Sequence, residues 1–174
     1  MEFFIMVMVT LLPKYDEIEN STNVVYDCVN LILKRNGLKP LDEIFPSGAP
    51  KNLFKETVSV VKLAEDINKL FKKHSIALTA KADENLAIYE CAYFTDRIYS
   101  GFDMLIKYSS RQGNFKSERT YWSLVKAYDT VDEQISVLVP AMSKKTQEKY
   151  LRIGTRINNA TANPGYGAIT FCLA

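Results

Sequence analysis

Apolar residues in the first part of the chain recur at alternating spacings of three and four. The first set consists of Tyr15, Ile18, Thr22, Val25, Val29 and Ile32. In an α-helix this spacing places the side chains on one face. Pro13 suits a first helical turn, and Gly37 suits a C-terminal cap. The pattern therefore predicts a first helix from Pro13 to Asn36.

A loop and a second helix are predicted next. The segment GLKPLDEIFPSGAP, residues 37–50, holds three prolines and two glycines, which a regular helix does not tolerate. We expect the second helix to run from Pro50 to His74, with the histidine as a cap at the end where the helix dipole favours a positive group. Its apolar face consists of Leu53, Phe54, Thr57, Val60, Val61, Ala64, Ile67 and Phe71.

Two longer helices are predicted in the middle of the chain. The third runs from Ala80 to Ser110. The fourth runs from Phe115 to Val139, because Pro140 disfavours helical geometry at the residue before it. The apolar stripe of the third helix is Ile88, Ala92, Thr95, Tyr99, Phe102 and Ile106. The fourth would bury Trp122, Val125, Tyr128, Ile135 and Leu138.

A basic amphipathic helix is predicted near the C-terminus, from the N-cap residue Ser143 to Ile157. A continuous stripe along it consists of Lys145, Lys149, Arg152 and Arg156. Such a helix can dock on an acidic partner or lie on an anionic membrane. The alternative is a terminal bundle helix whose solvated face is basic, and Glu148 and Gly154 favour it. A peripheral membrane contact is therefore not the favoured interpretation.

The two ends of the chain do not follow a helical pattern. Residues 1–12 are apolar but too few to span a bilayer, which takes about 20 helical residues. Glu2 stands where a signal peptide would be basic, and no alanine precedes Ala49. We therefore expect a cytoplasmic protein, with export to the periplasm or secretion as the alternative. In the tail, residues 159–174, the segment AITFCLA predicts a short strand that could pair with residues 1–12.

Together these elements predict an all-α fold. We expect one domain over residues 1–174, in which residues 13–158 form a four- to five-helix bundle with short irregular or strand-like N- and C-terminal tails. Apolar residues make up 47% and charged residues 24% of the 174, as in soluble globular proteins. The net charge of +2 gives no basic field that would indicate a nucleic-acid partner.

Two short segments, YDCVN around Cys28 and YECAY around Cys91, repeat a pattern of tyrosine, acid and cysteine. Neither cysteine has a second one two or three residues away, so the spacings typical of zinc and thioredoxin-type sites are absent. We expect free thiols that pack as small apolar side chains. A Cys28–Cys91 disulfide, which would leave Cys172 unpaired, is the alternative.

Enzymatic activity is disfavoured by the residue types that the chain lacks. His74 is the only histidine that could serve as a base for a serine or cysteine nucleophile. The sequence has no Glu-x-x-His pair for a di-metal bundle and no glycine-rich phosphate loop. We predict no catalytic residue, no cofactor and no metal. A metal-dependent enzyme is the less favoured alternative, with a cation site at Asp96, Asp103, Asp129 and Asp132.

Aromatic residues of the third predicted helix point in too many directions for one stripe, and tyrosine is common at interfaces. The first hypothesis is therefore a non-enzymatic interaction module, such as an adaptor, inhibitor or assembly subunit. It would bind another protein, or itself, through the basic stripe and through Tyr89, Tyr93 and Phe94. The alternative is a carrier that holds an apolar small molecule within the bundle, in a cavity lined by Tyr99, Phe102, Trp122 and Tyr128.

Overall fold

The chain folds around a six-stranded antiparallel β-sheet, so the predicted all-α helical bundle is wrong. The structure is a computed structural model that describes residues 23–50, 52–84, 91–111, 118–129, 134–139, 148–152 and 165–174. Its helices are α1 (Val24–Arg35), α2 (Leu41–Ile44), α3 (Val60–Lys73) and α4 (Cys91–Tyr99). Its strands are β1 (Leu78–Glu84), β2 (Asp103–Arg111), β3 (Glu118–Asp129), β4 (Gln134–Leu138), β5 (Glu148–Arg152) and β6 (Gly167–Leu173).

The strands lie in the order β1-β6-β2-β3-β4-β5, and each neighbouring pair is antiparallel. The prediction of a strand in AITFCLA is confirmed, because this segment forms β6. Its predicted pairing with residues 1–12 is wrong, since β1 and β2 occupy both edges of β6. Residues 1–12 themselves lie outside the described part of the chain.

The predicted third and fourth helices are mostly strands. Of the described part of Ala80–Ser110, only α4 is helical, and Gly101 ends it with a left-handed φ of 74°. The described residues of Phe115–Val139 form β3 and β4, which ends one residue before Val139. The pattern misled because a strand buried on both faces has no apolar–polar alternation and resembles a buried helix. In β2, for example, three consecutive residues are buried, namely Met104, Leu105 and Ile106.

The first predicted helix has the right end and the wrong start. α1 ends at Arg35, and Gly37 follows with a φ of 64°. Asn23 has an extended backbone, and its side chain accepts a hydrogen bond from the Tyr26 N–H at 2.9 Å. Asn23 is therefore the N-cap, and this helix begins at Val24 rather than Pro13.

The second predicted helix is also shorter than expected. Ser59 is the N-cap of α3, because its hydroxyl accepts a hydrogen bond from the Lys62 N–H at 3.1 Å. The preceding residues 52–59 form a loop over the sheet instead of the first helical turns. At the other end, the prediction that His74 caps the helix is confirmed.

Helices cover both faces of the sheet. The first face packs against α1 and α3, and its core includes Leu105, Leu124 and Phe171. The second face packs against α4, and its core includes Ile106 and Val137. Successive residues of a strand point to opposite faces, so each central strand contributes to both cores. No described helix is long and apolar enough to cross a membrane.

The predicted basic helix Ser143–Ile157 is wrong where the chain is described. Glu148–Arg152 forms strand β5, which pairs with β4. The spacing that defined the basic stripe is helical and does not apply to a strand, whose side-chain period is two. The other two residues of the stripe, Lys145 and Arg156, lie outside the described part.

Cys28 and the α4 cysteine lie on helices that pack against opposite faces of the sheet. Cys28 is a free, fully buried thiol in the first core, and burial raises its pKa. Cys172 is also free. The side chain of Cys91 lies outside the described part. The prediction of a buried free thiol is confirmed for Cys28, and the similarity of the two cysteine segments does not reflect a disulfide.

The exposed edge of β1 is capped by a side chain from α3. The amide of Asn68 donates to the carbonyl oxygen of Ala80 at 2.8 Å and accepts from its N–H at 2.8 Å. Ala80 is buried, and β1 is an edge strand with β6 as its neighbour. One amide therefore satisfies two backbone groups that a further strand would otherwise bind.

We expect Asn68→Ala to lower the free energy of unfolding by about 2–3 kcal/mol, because it leaves two buried backbone groups without partners. Urea denaturation followed by circular dichroism measures the change. Lys69→Ala, at the neighbouring exposed position, is the control and should stay within about 0.5 kcal/mol of the parent. An equally small change for Asn68→Ala would show that water replaces the amide.

Candidate functional site

A buried lysine lies on the first face of the sheet, beyond the part that α1 and α3 cover. Lys107 is on β2, directly opposite Trp122 of β3 on one side and Gly167 of β6 on the other. It is only 4% exposed.

The ammonium of Lys107 is held by a backbone carbonyl and two aromatic rings. Its Nζ donates to the carbonyl oxygen of Val58 at 2.5 Å. It lies 5.4 Å from the ring centroid of Trp122 and 5.1 Å from that of Tyr166, within the range of cation–π attraction. Burial lowers the pKa of Lys107, because water is kept from the charged form.

A second buried charged residue, Asp103, lies on the same face of β2 as Lys107, and it has a counter-ion. Asp103, which is 2% exposed, forms an ion pair with Arg35 and accepts a hydrogen bond from the Asn36 side chain at 2.7 Å. Four residues along β2 separate the two groups, or about 13 Å. Among the described residues, no carboxylate lies within ion-pair distance of Lys107. The acid has a counter-ion, whereas the partners of the lysine in the described part of the chain are a backbone carbonyl and two aromatic rings.

The loop of residues 52–59 forms one wall beside Lys107, and three hydrogen bonds to residues outside the loop hold it. The indole N–H of Trp122 donates to the Glu56 carbonyl oxygen at 2.9 Å, and the Asn23 amide donates to the Leu53 carbonyl oxygen at 2.8 Å. The Glu56 carboxylate accepts from the Val24 N–H at 2.9 Å, at the N-terminus of α1, where a negative charge is favourable.

The residues before β6 form the opposite wall. The carbonyl oxygen of Gly165 accepts from the Val60 N–H at 3.0 Å, which ties this segment to the first turn of α3. Gly165 has a left-handed φ of 82°, and a Cβ there would lie 3.1 Å from Ser59 Cβ. The next residue, Tyr166, shares a hydrogen bond of 2.6 Å with the Thr120 hydroxyl, which fixes its ring beside Lys107.

Between these walls is a pocket of about 430 Å³, here called the Lys107 pocket. Its volume is in the range of small-molecule sites, about 300–1,000 Å³. It combines one cationic group, one carboxylate, two aromatic rings and several hydroxyl groups, and this set suits binding better than nucleophilic chemistry. Its lining consists of Glu56, Thr57, Ser59, Lys107, Thr120, Trp122, Gly165 and Tyr166.

The residues predicted to bind a partner do not form one surface in the described structure. Tyr93 and Phe94 are buried in the second core. Tyr93 donates to the Asp83 carboxylate at 2.6 Å, and the Arg97 guanidinium lies 3.6 Å from its ring centroid. Burial raises the pKa of Tyr93. Tyr89 lies outside the described residues, and of Lys149 and Arg152 only the strand backbone is described.

The four residues predicted to line one cavity are separated. Tyr99, the last residue of α4, is 59% exposed, and Phe102, in the turn that follows, is 39% exposed. Tyr128 is half-buried against the second core. Trp122 belongs to the first core and is the one member of the set that lines the Lys107 pocket.

The acids of the alternative metal site are not brought together either. Asp96 is exposed on α4, and Asp103 is engaged by Arg35. The Asp129 side chain and Asp132 lie outside the described residues. In the part of the chain that the structure describes, no group of three or more His, Cys, Asp or Glu residues could hold a metal ion.

Three residues of this site, Lys107, Glu56 and Tyr166, were not predicted from the sequence. One sequence pattern indicated the position of the lysine. In the segment MLIKYS, Lys107 is two residues from both Leu105 and Ser109, so in a strand its side chain lies on the same face as that of Leu105. No local signal marked Glu56 or Tyr166, because each reaches the pocket through a loop. No protein-family model matches the chain, and no curated protein is significantly similar to it.

Proposed function

We propose that the protein is a non-enzymatic binding protein that holds a small molecule in the Lys107 pocket. The observation that carries this proposal is a buried ammonium that lines a pocket and has no carboxylate partner among the described residues. A buried charge without a counter-ion is costly, so the retention of Lys107 at this position supports a role beyond stability.

The surroundings of the lysine favour binding over catalysis. An ammonium has three N–H donors, and the Val58 carbonyl takes one of them. The sole histidine, His74, is at the C-terminal end of α3, whereas the pocket lies at the N-terminal end of that helix. The first hypothesis from the sequence, an interaction module that binds another protein, stays a prediction. Two of its residues, Tyr93 and Phe94, are buried.

Two fluorescent probes with the same aromatic body test the proposal. They are phenylnaphthylamine, which is neutral, and anilinonaphthalene sulfonate, which is a monoanion. We expect at least one of them to bind saturably with one-to-one stoichiometry. We also expect energy transfer from Trp122, the single tryptophan of the chain, because the bound probe would lie against its ring.

Two substitutions at Thr120 locate the binding. Thr120→Phe adds a ring at the pocket wall and should abolish the signal. Thr120→Ser keeps the hydroxyl that bonds to Tyr166 and adds no bulk, so it should retain the signal. If neither probe binds, or if Thr120→Phe binds as well as the parent protein, the Lys107 pocket is not a ligand site.

A further inference from the structure

Resting on the proposed function, we infer that the ligand of the Lys107 pocket is a monocarboxylate with a flat apolar body. Elsewhere on the same face of β2, the Asp103 carboxylate pairs with the Arg35 guanidinium. Lys107 has no such carboxylate partner among the described residues. Lys107 is 4% exposed, and its ammonium retains donors beyond the one bonded to Val58. A bound carboxylate would accept those hydrogen bonds and neutralise the buried charge.

The second charged group of the pocket limits the charge of the ligand. Glu56 lines the pocket, and its carboxylate is anchored to the Val24 N–H. One negative charge on the ligand pairs with Lys107, whereas a second would lie in the same pocket as the Glu56 carboxylate and be repelled. The pocket should therefore prefer a monoanion to a dianion such as a phosphate monoester.

The aromatic walls indicate the body of the ligand. The indole N–H of Trp122 donates to the Glu56 carbonyl oxygen, so Trp122 can contact a ligand only through the surface of its ring. The ring of Tyr166 is fixed by Thr120. Both rings lie about the same distance from the lysine ammonium. A flat apolar group attached to the carboxylate can contact these rings while the acid reaches Lys107.

The test uses phenylacetate, phenylpropionate and phenylbutyrate beside their uncharged amides. Trp122 fluorescence, excited where the phenyl group does not absorb, follows binding at the pocket, and calorimetry confirms the stoichiometry. We expect the Kd of the best acid to be lower than that of its amide by a factor of about ten or more. One charge-assisted hydrogen bond is enough to produce a difference of this size. Lys107→Met should remove this preference. Lys81→Met, at an exposed lysine of β1, should leave it unchanged.

A second variant tests the role of Glu56 and does not depend on the folding of Lys107→Met. Glu56→Gln retains an oxygen that can accept from the Val24 N–H but removes the charge. We expect phenyl phosphate to bind Glu56→Gln about tenfold more tightly than the parent protein. The affinity for the carboxylic acids should change less than the affinity for phenyl phosphate.

The outcomes separate the two proposals. If the fluorescent probes bind but acids and amides bind equally, the pocket is a ligand site and the monocarboxylate inference is wrong. If the acid preference persists in Lys107→Met, the lysine does not recognise the anion and the inference is equally wrong. If no acid, amide or fluorescent probe binds, the proposed function itself fails.

Discussion

Gly167→Ala should be among the most damaging single substitutions in the chain, with a loss of about 4 kcal/mol or more in the free energy of unfolding. Gly167 begins β6, between β1 and β2, and has a φ of 147°, a region that essentially only glycine adopts. A Cβ at this position would overlap the Asp83 carbonyl oxygen and come within 3.0 Å of Glu84 Cα. Both are rigid backbone atoms of β1, so relief requires the separation of two strands.

Equilibrium urea denaturation and soluble yield measure this effect. Gly101→Ala is the matched control, because Gly101 also has a positive φ, 74°, but nothing lies within 4 Å of its Cβ position. The control should cost about 1–2 kcal/mol, the conformational penalty alone. If the two variants lose the same stability, the close approach of β1 and β6 at Gly167 does not constrain the fold.

Arg35→Met should lower the free energy of unfolding by about 3–5 kcal/mol, because it leaves a buried carboxylate without its counter-ion. The Arg35 side chain is 28% exposed, whereas the Asp103 side chain with which it pairs is 2% exposed. The Asn36 amide would remain as a neutral donor to this carboxylate. The ion pair joins the end of α1 to the start of β2, so its loss should also loosen the contact between helix and sheet.

The neighbouring residue on α1 provides the control. Lys34 pairs with Asp42 at 2.7 Å, but both side chains are exposed to solvent. Lys34→Met should therefore cost less than about 1 kcal/mol, although it should raise the pKa of Asp42, which the Lys34 hydrogen bond lowers. Chemical denaturation of both variants at the same salt concentration makes the comparison. If both variants lose the same free energy of unfolding, the burial of Asp103 does not increase the contribution of Arg35 to stability.

The parts of the fold that could be predicted are those with local causes. The end of α1 follows from Gly37, and the end of α3 at His74 follows from the loss of apolar periodicity. The sheet could not be predicted in the same way. Met104, Leu105 and Ile106 are all buried because β2 has neighbours on both edges and cores on both faces, and that environment is a property of the assembled sheet. β-branched and aromatic residues in β3 and β4 favour strands, but the same residues also fall at helical spacing, so the local pattern fits both structures.

The candidate site was harder to predict than the fold. Trp122 was singled out as a ligand-contacting residue, and it does line the pocket, but with none of the other three residues of its predicted cavity. Lys107 meets Val58 across 49 positions of sequence, and Thr120 meets Tyr166 across 46. Such contacts depend on strand register, since a shift of one residue would move Lys107 to the other face.

The capped edge at Ala80 also bears on how the protein behaves at high concentration. A fibril grows when an incoming chain hydrogen-bonds to a free strand edge. At the middle of β1 those positions are already taken by Asn68 on α3. A second molecule could extend the sheet from this side only after the helix had moved away, so the growth of fibrils from β1 would begin from a partly unfolded molecule.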